Sequence, residues 1–222
     1  MSQNPPSARL RTGFVHSLGL VLALALGSQA SAEVVFSESF EDPVVTGFES
    51  KTVPANGNWI GSEGAYNANI RGMYNDFAAW PDTPPFTTPY GDQGYYLDYS
   101  TTMLTTAVGA TGQTITEGVH YTLTVNAAKA NGTSADYRIE LVAFDVTDDN
   151  DAREDSNNKA GTNVASATGE ILGSDMSDSI SITYTPDASD PHLGKELAIR
   201  FDDDDGSAIY DNVRLIVGHD YV

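Results

Sequence analysis

The chain has 222 residues, 31 of them Asp or Glu against 11 Lys or Arg, for a formal net charge of −20, and it contains no cysteine. Disulfide staples, cysteine-ligated zinc, iron–sulfur clusters and thiol catalysis are thereby excluded, and so few cations leave little to neutralise nucleic-acid phosphates. Apolar residues at 40%, with 9% aromatics, supply enough material for a core.

The first 32 residues read as a secretory signal peptide. Arg9 and Arg11 form a basic start, an apolar run extends from Phe14 to Leu26, and Ala30-Ser31-Ala32 supplies the small residues signal peptidase requires. The apolar run is too short for the ~20 residues that span a bilayer. The mature chain, 33–222, is expected to be a single domain, secreted or periplasmic, without membrane insertion. Loss of two arginines makes it more acidic, at −22.

Val34 to Phe36 is the first expected strand. Residues 49–94 read differently, as long ordered loops on one rim. They hold both tryptophans and the cluster Pro81, Pro84, Pro85 and Pro89, which argues against a regular central strand. Aromatic side chains stand here among amides and charges, the composition from which sugar sites are built. Trp59, Tyr66, Tyr74 and Trp80 are the candidate stacking residues, with Arg71 and Asn69 as polar partners. The alternative is that these aromatics anchor the loops to the scaffold.

Tyr95 to Tyr99 is the next expected strand. Alternation at period two then marks Tyr121 to Ala127, Tyr137 to Ala143, Ser179 to Thr185, Leu197 to Phe201 and Ile209 to Val217, with Val164 to Ile171 a further strand. Strands with one apolar and one polar face belong to antiparallel sheets covered on one side. The fold class is therefore all-β, a two-sheet antiparallel jelly-roll sandwich. Acidic loops follow two of these strands: Asp148, Asp149, Asn150 and Asp151 with Glu154 and Asp155, and the run Asp202 to Asp205. Each reads either as an oxygen-rich calcium loop or as a solvated acidic surface.

Three stretches carry a resemblance: Ser39-Phe40-Glu41-Asp42-Pro43, Gly118 to Val125 with Tyr137 to Leu141 after it, and Tyr210-Asp211-Asn212-Val213-Arg214-Leu215. In this order they resemble the galactose-binding-domain-like sandwiches, including carbohydrate-binding modules and exported domains of the DUF642 type. The resemblance implies glycan binding on a loop rim. It also implies a structural calcium between the terminal strands, with Glu41, Asp211 and Glu38 as ligands. No zinc-protease, nucleophile-elbow or phosphate-loop motif is present.

The expected function is thus a non-catalytic, exported carbohydrate-binding protein whose partner is a polysaccharide or other glycan. A calcium-dependent adhesive surface protein is the second reading, and a glycoside hydrolase or polysaccharide lyase the third. N-terminal sequencing of the exported protein should begin at Glu33; an intact leader would refute the cleavage site.

Overall fold

The computed structural model describes residues 32–42, 47–50, 54, 56–62, 71–75, 93–98, 103–129, 135–154, 160–172, 176, 178–202 and 207–219. These form twelve strands and one short helix: β1 (Glu33–Glu38), β2 (Gly47–Ser50), β3 (Trp59–Ser62), β4 (Arg71–Asn75), β5 (Gln93–Asp98), β6 (Met103–Thr106), β7 (Val119–Lys129), β8 (Ala135–Phe144), α1 (Asn150–Glu154), β9 (Thr162–Ile171), β10 (Asp178–Tyr184), β11 (Glu196–Asp202) and β12 (Ser207–His219). One sheet runs β10-β7-β12-β5-β4-β2, with β1 also on β12, and the other runs β3-β6-β11-β8-β9. Every pairing is antiparallel. The expected jelly-roll sandwich is the observed fold.

The period-two segments became strands because each places an apolar row between the sheets. In β7, Val119, Tyr121, Leu123, Val125 and Ala127 are buried, while the residues between them are half-exposed. Leu197, Ile199 and Phe201 of β11 face them from the other sheet within one core. The segment 49–94 departs from expectation: β3, β4 and the end of β2 are sheet members within it. Its prolines lie outside these strands, so the backbone donors that the ladders need are intact.

Trp59 is 3% exposed. Its ring stacks on Phe201 at 5.6 Å and meets Phe36 edge-on at the same distance. Phe201 in turn stacks on Tyr210 at 4.7 Å. The expectation of Trp59 on an open, sugar-binding rim is therefore corrected. Pairing of Trp59 with Thr106 on β6 turns its ring inward, where burial of a large aromatic surface outweighs any gain from exposure.

The outer face of the five-stranded sheet carries a smaller layer. Arg153 of α1 is buried. It bonds the Thr106 carbonyl at 3.0 Å, pairs with Glu196 at 2.8 Å and lies 4.3 Å from the Phe144 ring centre. Nearby, Arg200 pairs with Glu140 at 2.5 Å, both of them buried. These pairs let a strongly acidic chain bury carboxylates without leaving the charge uncompensated.

Trp59→Ala should cost about 3–5 kcal/mol of stability by removing the centre of the aromatic stack. A denaturant midpoint equal to that of the wild type would show that the ring does not support the core.

Candidate active site at the strand switch

β12 is the longest strand, and it changes partners. On one side it follows β7 from Ala208 to His219. On the other, Ser207 to Tyr210 pair with β5, whereas Val213 to Val217 pair with β1. Asp211 and Asn212 fall in the gap between these two partners. The β7 ladder shifts register between Asp211 and Arg214, and Asn212 has a φ of 49°, in the left-handed region. Asn tolerates that conformation better than most residues. Two polar residues between the inward-facing Tyr210 and Val213 thus form a bulge, which re-aims their side chains.

The opposite wall of the gap is the turn after β1. Phe40 is buried and also has a positive φ, 53°. Glu38 holds this turn together. Its Oε1 accepts the backbone N–H of Ser39 at 3.1 Å and of Phe40 at 2.9 Å, and its Oε2 accepts Asn56 Nδ2 at 2.5 Å and Trp59 Nε1 at 3.0 Å. Glu41 accepts the Gln93 N–H at 3.0 Å, and Gln93 Nε2 donates to the Phe40 carbonyl at 3.0 Å. Beside this gap a hollow of about 340 Å³ is lined by Ser37, Glu38, Ser39, Asn212, Val213 and Arg214.

Asp211 is fully buried. Its Oδ1 accepts the Asn212 N–H at 2.6 Å, while Oδ2 has no hydrogen-bond partner among the described residues. Burial pushes its pKa up to about 7; the Asn212 N–H opposes the rise, and the negative charges of Glu41 and Glu38 add to it. Asn212 is itself held. Its Nδ2 donates to Asn126 Oδ1 at 2.8 Å, its Oδ1 accepts Arg214 Nε at 3.0 Å, and Asn126 Nδ2 donates to the Met176 carbonyl at 2.9 Å. The result is a buried carboxyl group with one oxygen that no described residue hydrogen-bonds, and with its pKa raised to about 7.

Glu38 and Glu41 lie close enough to Asp211 for their charges to act on it. Four donors occupy the Glu38 oxygens. No group of three acidic or His side chains among the described residues is placed to hold a metal ion. In the acidic loops, Asp148 Oδ2 caps the Asp145 N–H at 3.0 Å, Asn150 Oδ1 accepts the Val108 N–H at 3.0 Å, and Asp202 is buried 3.7 Å from Arg138. Asp155 and Asp203 to Asp205 lie outside the described residues, as do Tyr66, Asn69 and Trp80. Arg71 and Tyr74 are placed on β4, in register with Leu97 and Gly94 of β5.

Asn126 and Gln93 were missed in the sequence because isolated amides carry no motif, and Asn212 appeared only within the closing motif, with no role of its own. The available signal was the broken alternation at Tyr210-Asp211-Asn212-Val213, which announces a bulge.

Fold and site together define a jelly-roll sandwich with a protonatable acid buried at a break in its central strand pairing. The model of the HpiC1-like family, described as HpiC1 cyclase, matches residues 33–216, and the chain belongs to that family. No curated protein matches the sequence. Among solved structures, the chain is similar to the apo form of a cyclase from Fischerella sp., at 20% identity and a TM-score of 0.62, over 86% of this chain and 99% of that one. It is also similar to the Stig cyclase Fisc from Fischerella sp. TAU in complex with (3Z)-3-(1-methyl-2-pyrrolidinylidene)-3H-indole, at 19% and 0.60, over 83% and 96%. The CBM22-1 xylan-binding domain from Paenibacillus barcinonensis matches at 10% and 0.51, over 86% and 98%. The sandwich likeness to carbohydrate-binding modules thus holds at the level of fold. Membership of a cyclase family overturns both the expected non-catalytic carbohydrate-binding role and the expectation that the protein is not an enzyme.

The Asp211 proton has a stability signature. The folded state holds it to higher pH than the unfolded chain, so its contribution is complete below the unfolded value near 4 and is lost as pH rises through about 7. Asp211→Asn should therefore gain stability over the wild type across that window, by up to about 4 kcal/mol. Melting in chelator-treated buffer at several pH values measures this, and a constant difference would rule out the raised pKa.

Proposed function

We propose that the protein is a cyclase in which Asp211, as a neutral carboxylic acid, protonates a small apolar substrate and so triggers ring closure. The observation that carries this reading is the buried, uncommitted Oδ2 of Asp211 in a chain of the HpiC1-like family. A general acid works best when its pKa lies near the working pH, and burial places Asp211 there. In the proposed step, Oδ2 gives its proton to an electron-rich substrate carbon or heteroatom. An internal carbon–carbon π bond attacks the resulting cationic centre and forms the ring bond. The aspartate then takes back a proton from the cyclised cation, leaving acid and atom count unchanged. Glu38 and Glu41 set a negative potential around that cation, which favours its formation.

The substrate class follows from the relatives. One Fischerella sp. TAU cyclase was solved with 4-(1H-indol-3-yl)butan-2-one and Fisc with an indole derivative. An indole-bearing precursor is the proposed substrate here as well. An exported location is part of the same proposal, supported by the leader-like residues 1–32.

The test is turnover of indole-bearing cyclisation precursors by the wild type, Asp211→Asn and Asp211→Ala. Both variants should lose about 10²- to 10⁴-fold in rate. Binding of 4-(1H-indol-3-yl)butan-2-one should change little. The wild-type rate should fall as pH rises through about 7. Asp211→Asn with an undiminished rate would overturn the assignment.

A further inference from the structure

Asn126 of β7 lies directly opposite Asp211 in the β7–β12 ladder, at the last pair before the register shifts. Pairing resumes only at Arg214 and Thr124, so Val125 alone faces both Asn212 and Val213. Directly paired residues project from the same face of a sheet. Asn126 stands between the inward-facing Val125 and Ala127, so it and Asp211 share the face turned away from the sandwich interior. Its amide is bonded at both ends: Oδ1 accepts Asn212 Nδ2 at 2.8 Å, and Nδ2 donates to the Met176 carbonyl at 2.9 Å. Met176, in the connection from β9 to β10, is a fixed anchor. It is buried, and a Cβ at Gly94 of β5 would stand 3.3 Å from its Cε and 2.7 Å from Ile209 Cγ2, so it packs where glycine alone leaves room. The chain of amides has one possible direction. Arg214 Nε can only donate, and the Met176 carbonyl can only accept. Asn212 Oδ1 therefore faces Arg214, Asn212 Nδ2 faces Asn126, and Asn126 Nδ2 faces Met176.

We propose that Asn126 is a positioning residue for Asp211. Its hold on the Asn212 side chain keeps that residue at a φ of 49°, and this keeps the Asn212 N–H on Asp211 Oδ1. A donor on Oδ1 leaves the proton of the neutral acid on Oδ2, the oxygen that no described residue bonds. The acid then presents its proton from one oxygen in one direction, as transfer in a fixed geometry requires. Without Asn126, Asn212 is free to leave a conformation that costs any residue with a Cβ, and the proton is free to sit on either oxygen. Leucine, of similar size, can bond neither neighbour. The inference rests on the reading of Asp211 as the acid.

The 1H–15N spectrum of the mature protein tests the bond without any substrate. The Asn212 amide proton should resonate downfield in the wild type, as a proton held on a carboxyl oxygen does, and move upfield in Asn126→Leu. With indole-bearing precursors, Asn126→Leu should lower kcat roughly 10- to 100-fold and leave KM within about twofold. In an Asn212→Gly background, which admits the left-handed conformation without the side chain, the same substitution should cost almost nothing, because the route is already broken. Asn126→Ser, too short to reach both partners, should repeat the effect and replaces Asn126→Leu if circular dichroism shows the latter unfolded. An unmoved Asn212 amide in Asn126→Leu would overturn the inference, as would full additivity with Asn212→Gly. Loss of rate in Asp211→Asn without loss in Asn126→Leu would overturn it alone, whereas an undiminished rate in Asp211→Asn would overturn the acid assignment beneath it.

Discussion

The change of partner along β12 is the constraint on which the site depends. One strand is shared by β7 throughout, by β5 at its start and by β1 at its end. A single strand cannot hand over from one neighbour to the next without a short stretch paired on one side only. Asp211 and Asn212 fill that stretch, and the bulge there relieves the mismatch in alternation. The carboxyl group is buried because the strand is central. Its Oδ2 has no hydrogen-bond partner among the described residues.

Stability and reactivity are in tension at this point. An acid buried beside two other carboxylates disfavours its own ionised form, and the fold bears that cost. The Glu38 clasp helps to offset it. Four hydrogen bonds to one carboxylate fix the turn after β1 and tie it to Trp59, hence to the aromatic stack of the core. The acid environment of Asp211 is therefore anchored by the same residues that hold the two sheets together. Asp211, by contrast, accepts a single backbone N–H from the described residues.

Much of the fold was legible in particular segments. Tyr121 to Ala127 shows alternation that matches the burial found in β7, whereas from Ile139 to Phe144 both faces of β8 are buried. The short strands β3 and β4 were not legible, since four or five residues amid loop-forming neighbours carry too little periodicity. Trp59 was misplaced for a related reason. A tryptophan among Asn and Gly residues looks the same in sequence whether its ring faces a ligand or the core, and only the pairing of β3 with β6 decided its direction. The raised pKa of Asp211 was not legible, because it depends on burial and on the charges of Glu41 and Glu38, which lie far from it in sequence.

The amino-acid sequence by itself determined the class of fold, because alternation of apolar and polar residues decides which surface each strand hides. It also determined the excess of negative charge and the lack of any thiol chemistry. The tertiary structure alone decided that Asp211 holds its proton near neutral pH. That property arises from burial and from two carboxylates brought close by strands at opposite ends of the chain. Neither of these is a property of Asp211 or of its neighbours in sequence; each exists only once β1, β5 and β12 meet.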